Sequence, residues 1–113
     1  MGIRAFQLNT TKYLRMKNPI ENLQKVFESR IRLGIMSALM VNDTLDFNTL
    51  KELLNLTDGN LASHLRGLEQ QEIIVVNKQF IGRKPSTSYG TTEHGKTLFR
   101  LHLAALEQLI KQP

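Results

Sequence analysis

Between Leu50 and Gln71 the chain reads LKELLNLTDGNLASHLRGLEQQ, and its apolar positions fall on two helical periods broken by a turn. In the second period Leu61, Leu65 and Leu68 stand at i, i+4 and i+7, which places them on one face of a helix and against a core. At about 100° per residue, Gly59, Asn60, Ser63, Arg66, Gly67 and Gln70 gather on roughly the opposite side. These are small or hydrogen-bonding groups with a single charge among them. A helix that need only be soluble carries more charge there. Such a face suits close approach to something polar.

Thr57 predicts the N-cap of this helix, with Asp58 in the first turn, where the helix dipole favours an anion. Upstream, Thr49 to Leu54 predicts a helix capped by Asn48, with Leu50, Leu53 and Leu54 turned inward. Asn55 and Leu56 lie between the two, and Asn55 suits the left-handed conformation that ends a helix. Helix, short turn, helix with a Leu-lined inner face is the helix-turn-helix pattern, and equally that of an αα-hairpin inside any helical protein.

The next stretch separates the two. Ile73 to Phe80, IIVVNKQF, is β-branched and apolar and predicts a strand. Ile81 to Thr87, IGRKPST, has the Gly and Pro of a loop, and Ser88 to Thr91 predicts a short returning strand. A helix-turn-helix followed at once by a basic-tipped hairpin is a winged helix. The runs SRIRLGIMSAL, FNTLKELLNLTDGNLASHLRGLE, GRKPSTSY and TTEHGKTLF resemble the small winged-helix regulators related to the MarR and ArsR families, over roughly Ile20 to Lys111.

That resemblance implies an α+β, mostly α fold: a winged helix-turn-helix with flanking N- and C-terminal dimerisation helices. It further implies a sequence-specific, homodimeric transcriptional regulator of double-stranded DNA, with Thr57 to Gln71 in the major groove and the basic wing on the backbone or minor groove. The helix residues expected at DNA are Thr57, Gly59, Asn60, Ser63, His64, Arg66 and Gly67. The wing residues are Lys78, Arg83, Lys84, Ser86 and Thr87. A winged helix serving as a protein-interaction module, without specific DNA binding, is the other reading. Two positions depart from the family pattern. Glu72 stands where such proteins usually place Gly to leave the recognition helix, at a cost of about 1 kcal/mol. Gly67 sits inside that helix, where propensity disfavours it by ~1 kcal/mol; close approach to a phosphate and tolerated drift both account for it.

On the N-terminal side, Asn18-Pro19-Ile20-Glu21 predicts a helix start, with Asn as cap, Pro at the first position and Glu reaching back. Ile20, Leu23, Val26 and Phe27 would be its apolar face. Ser29 predicts a fresh cap for a helix from Arg30 to Val41, burying Ile31, Ile35, Ala38 and Leu39, and ended by Asn42-Asp43. Leu45 to Phe47 would then be the short strand that pairs with the wing. The last helix is expected from about Glu93, capped by Thr92, to Lys111. Its stripe of Leu98, Leu101, Ala105 and Leu109, widened by Phe99, Leu103, Leu106 and Ile110, is broader than one small protomer can cover. A dimer built on Leu98, Leu101, Ala105, Leu106 and Leu109 answers that.

The 113 residues suffice for one domain with a modest core: a basic arm over 1–18 and a winged helix-turn-helix domain over 19–113. The net charge of +5 is unevenly spread. Arg4, Lys12, Arg15 and Lys17 lie before Pro19 with no acid, and Lys78, Arg83 and Lys84 lie between Ile73 and Thr92 with none. From Pro19 to Glu72 acids outnumber bases. Bases flanking a reading helix suit phosphate contacts, although solvated arms and loop tips are often basic for no such reason. The acidic helical core is what keeps the interaction-module reading open. Ile3, Phe6, Leu8, Tyr13, Leu14 and Met16 make the arm too apolar for a plain tail, and docking on a partner subunit is expected before DNA contact.

Catalytic chemistry is absent from the pattern. There is no Cys, so disulfides and thiolate metal sites are excluded. His94 and His102 are eight positions apart, about 12 Å along a helix at 1.5 Å per residue, too far to share a metal within one chain. His64 flanks the apolar stripe and suits packing or a phosphate. No Ser-His-acid set or phosphate-cradling Gly loop occurs. Neither enzyme activity nor a metal or cofactor is expected, and no stretch has the apolar length of a membrane span or the apolar core of a signal peptide, so a cytoplasmic location is.

Overall fold

A computed structural model describes residues 18–111. The expectations for the arm therefore lie outside the described residues. The elements run α1 (Arg30–Met40), β1 (Leu45–Asp46), α2 (Phe47–Leu54), α3 (Asp58–Gln70), β2 (Ile74–Ile81), β3 (Lys84–Thr91) and α4 (Glu93–Lys111), preceded by one 3-10 turn at Lys25–Phe27. The three strands form an antiparallel sheet in the order β1-β3-β2. It is a mostly helical winged-helix fold.

The helix expected to open at Asn18-Pro19 does not form. The Asn18 side chain accepts from the Ile20 backbone N–H at 3.1 Å, but only turns follow, and Ile20 is exposed. Of the expected apolar face Phe27 alone is buried, meeting Phe99 edge-on at 5.2 Å between ring centroids. The segment is instead held from outside: the Gln24 backbone N–H donates to Nδ1 of the buried His102 at 2.9 Å. A tertiary acceptor takes a donor that a helix would have used.

Ser29 caps α1 through the Arg32 N–H, as its position predicts. The cap of α2 is Asp46 rather than Asn48; its carboxylate accepts from the Thr49 N–H at 2.7 Å, which holds its pKa below the usual value. Phe47 thus belongs to α2, and β1 is correspondingly short. Leu50 is buried, whereas Leu53, expected inward, is 61% exposed. Asn55 is left-handed (φ 51°), as the turn requires.

Ile35, Met36, Leu39, Leu50, Leu61, Leu65, Leu68, Ile73, Ile74 and Phe99 make one core with Phe27. Helix α4 reaches it through a tight crossing: Gly95 lies against the backbone carbonyl of Ile73 with no room for a Cβ. The buried seam of α4 is Gly95, Phe99, His102 and Ala105, so the Leu98–Leu101–Ala105–Leu109 stripe is rotated to one side of it. Leu98 and Leu106 are half-buried and Ala105 is buried in its own protomer, while Leu101 and Leu109 stay exposed.

Candidate nucleic-acid interface

Helix α3 presents two unlike faces. Leu61, Leu65 and Leu68 are buried. Thr57, Asp58, Gly59, Asn60, Ser63 and Arg66 are exposed, and a Cβ on Gly59 would meet nothing within 4 Å. Thr57 Oγ1 accepts from the Asn60 N–H at 3.2 Å, so the cap positions the first turn. Asp58, an acid on the presented end, is paired with Lys51 of α2 at 2.8 Å.

His64 and Gly67 look elsewhere. The Arg32 Nε–H donates to His64 Nδ1 at 3.0 Å, and Arg32 Nη1 donates to the Val26 carbonyl at 3.4 Å. A Cβ on Gly67 would lie 2.5 Å from Arg32 Nη2. Gly67 thus makes room for a guanidinium of the same chain. Burial, and next the Arg32 charge, hold the His64 pKa below its usual value.

The exit of α3 is a Schellman turn, with the Ile73 N–H on the Leu68 carbonyl (3.0 Å) and the Glu72 N–H on that of Glu69 (2.9 Å). Glu72 takes the left-handed conformation (φ 58°) that glycine would adopt more cheaply. Thr92 secures it. Its hydroxyl lies 2.6 Å from the Glu72 carbonyl and 3.1 Å from that of Ile73, and accepts from the Gly95 N–H at 2.9 Å. One side chain therefore ties the exit of α3 to the start of α4.

The wing differs from the expected long loop. β3 begins at Lys84, so only Gly82 and Arg83 form the turn, and Gly82 alone of the two has positive φ (67°), as a type II′ hairpin needs. Pro85 is accommodated because β1 pairs only with Ser88 and Tyr89, leaving that part of β3 without a second neighbour. The register pairs Val76 with Tyr89, Lys78 with Thr87 and Phe80 with Pro85, which by strand alternation share one face. That face looks at α3 across a cleft of about 330 Å³ lined by Arg66, Glu69, Lys78, Thr87 and Tyr89 among others. Lys84 and Ser86 occupy the opposite face, with Arg83 at the tip. Burial and then the Glu69 charge raise the Tyr89 pKa. The structure thus brings Lys78 and Thr87 to Arg66, but not Ser86. Sequence reading missed Tyr89 and Glu69 in this cleft, and Phe80 further out on the same face; treating 81–87 as a loop hid the alternation that would have aligned Phe80 with Tyr89.

A helix with a small polar outer face beside a basic hairpin defines a winged-helix DNA-binding domain. The chain belongs to the winged helix DNA-binding domain family, whose profile matches residues 31–110. It is a family of DNA-binding domains, not of enzymes. An uncharacterised protein of Methanocaldococcus jannaschii is 37% identical over 87 residues, covering 77% of this chain and 95% of its own. The structure of a transcriptional regulator homologue from Pyrococcus horikoshii OT3 is similar at 33% identity, TM-score 0.65, over 80% of this chain and 94% of that one. Reduced AbfR bound to DNA shares the fold at 15% identity, TM-score 0.68, over 99% and 80% of the two chains. Among the described residues no helix is long and apolar enough to cross a membrane.

Proposed function

We propose that this protein is a homodimeric transcriptional regulator that binds double-stranded DNA sequence-specifically, with α3 in the major groove and the wing on the backbone or minor groove. The observation that carries it is the division of α3: its leucines are buried, while Thr57, Gly59, Asn60, Ser63 and Arg66 stand clear. The reading gains support from the relatives, one a regulator homologue and another bound to DNA. Asn60 and Arg66 would read base edges and Lys78, Arg83 and Lys84 would hold phosphates. His64 and Gly67 act through Arg32, by fixing α3 on α1. Exposed Leu101 and Leu109 on α4 favour a two-fold pairing of protomers. In a cell without a nucleus, such a regulator works in the cytoplasm, where the DNA is. Selection from a random duplex pool is the test. A dimer enriches an inverted repeat with half-sites about 10 base pairs apart or a multiple of that; an unenriched pool sinks the reading and leaves the interaction module.

A further inference from the structure

The tip of the wing is apolar as well as basic. Phe80 is 73% exposed and Ile81 67%, and Phe80 is paired in register with Pro85. Burial in this fold does not account for Phe80. Its place does suggest a partner: it shares the sheet face of Lys78 and Thr87, the face turned toward α3, and lies beyond them toward the tip. Its surroundings are cationic, since Lys78, Arg83 and Lys84 stand between Ile73 and Thr92 without an acid. A partner for such a tip must offer anionic groups and, between them, flat apolar surface. The edge of a base step in a DNA minor groove does both.

We propose, resting on the DNA-binding reading above, that Phe80, backed by Pro85, is a wedge that enters the minor groove beside the α3 contact and partly unstacks one base step, bending the duplex. Phe and Pro are among the side chains that minor-groove proteins insert in this way, kinking DNA toward the major groove. The geometry suits it. Beyond Ser88 the hairpin is only two strands wide, because β1 ends there. The II′ turn through Gly82 keeps the tip narrow. Flexible pyrimidine–purine steps would be favoured under the wing, giving sequence preference where no hydrogen bond reads a base.

The test uses the full-length protein and the selected duplex, labelled at both ends with a donor–acceptor pair and carrying 2-aminopurine at the steps flanking the α3 contact. Wild-type protein is expected to bring the ends closer and to brighten 2-aminopurine at one step. Phe80→Ala, which removes no core contact, is expected to bind with unchanged salt dependence, leave the duplex straight and the probe dark. Phe80→Leu, still an apolar wedge, is expected to restore both signals. Wild-type binding without bending or brightening overturns the wedge, as does a Phe80→Ala complex bent like the wild type. Sedimentation of Phe80→Ala at a lower oligomeric state overturns it too, making the tip a contact between copies. Failure of wild-type protein to bind any selected duplex is a different result, which removes the DNA reading and the wedge with it.

Discussion

Arg32 on α1 donates its Nε–H to Nδ1 of His64 on α3, at 3.0 Å. The bond requires a neutral imidazole with its proton on the other nitrogen. A second proton would turn the acceptor into a donor and set two cations together.

That arrangement fixes the sign of the pH dependence. Burial and Arg32 lower the His64 pKa from 6.5, and burial, partly offset by Glu28, lowers that of His102, whose Nδ1 accepts from Gln24. The folded protein keeps both neutral while the unfolded chain takes up protons near 6.5. The contribution of these two histidines to stability is therefore complete above that pH, falls as pH drops through it, and levels off below their folded pKa values. Melting curves from about pH 8 to about pH 5 should show the fall. It should shrink in the His64→Gln, His102→Gln double variant, and an unchanged slope there would refute the assignment.

Gly67 and Arg32 should be energetically coupled. Ala is worth about 1 kcal/mol over Gly inside a helix, but here the added methyl displaces a guanidinium that makes two hydrogen bonds, each worth ~1 kcal/mol. Gly67→Ala should thus be neutral or destabilising alone and stabilising in an Arg32→Ala background. A double-mutant cycle by denaturant unfolding measures it, and additive effects would show that Gly67 does not serve Arg32.

The proposed reading makes base contact and core packing separable on α3. Asn60→Ala, Ser63→Ala and Arg66→Ala should leave the melting temperature nearly unchanged. Loss of a bidentate base contact costs ~1–3 kcal/mol of discrimination. Leu65→Ala should cost ~2–5 kcal/mol of stability by opening a core cavity. Competition binding and melting on the same proteins distinguish them. Sequence preference surviving all three polar substitutions would mean that another element reads.

The dimer prediction concerns α4. Leu101 and Leu109 are each 39% exposed, a surface that Asp substitution should make unable to pair. Wild-type protein should sediment as a dimer at micromolar concentration and the Leu101→Asp, Leu109→Asp variant as a monomer or aggregate. A wild-type chain monomeric at every concentration would end the two-fold model.

Salt reports the phosphates. If the wing and the arm together contact phosphates, about 4 contacts per protomer and about 8 per dimer give a log–log slope near −7 by counterion release. Arg83→Ala with Lys84→Ala should flatten the slope and weaken all duplexes alike. A slope unchanged by that pair would take the wing tip off the backbone.

Local patterns determined much of this protein. The Leu61–Leu65–Leu68 spacing, the Thr57 and Ser29 caps and the Asn55 turn are legible in sequence because each depends on neighbours within one helical turn. The winged-helix resemblance extended that to topology. Wherever a distant partner competes, the tertiary structure decided. Gln24 gave its N–H to His102 instead of continuing a helix, and Pro85 fits in a strand because β1 stops short of it; the choice of Asp46 over Asn48 as a cap is by contrast local, a matter of where the helix starts. Gly67 is the sharpest case. Nothing in LRGLE says that its missing side chain makes space for Arg32, thirty-five positions earlier. Periodicity assigns a residue to a face of its own helix; only packing decides what that face meets.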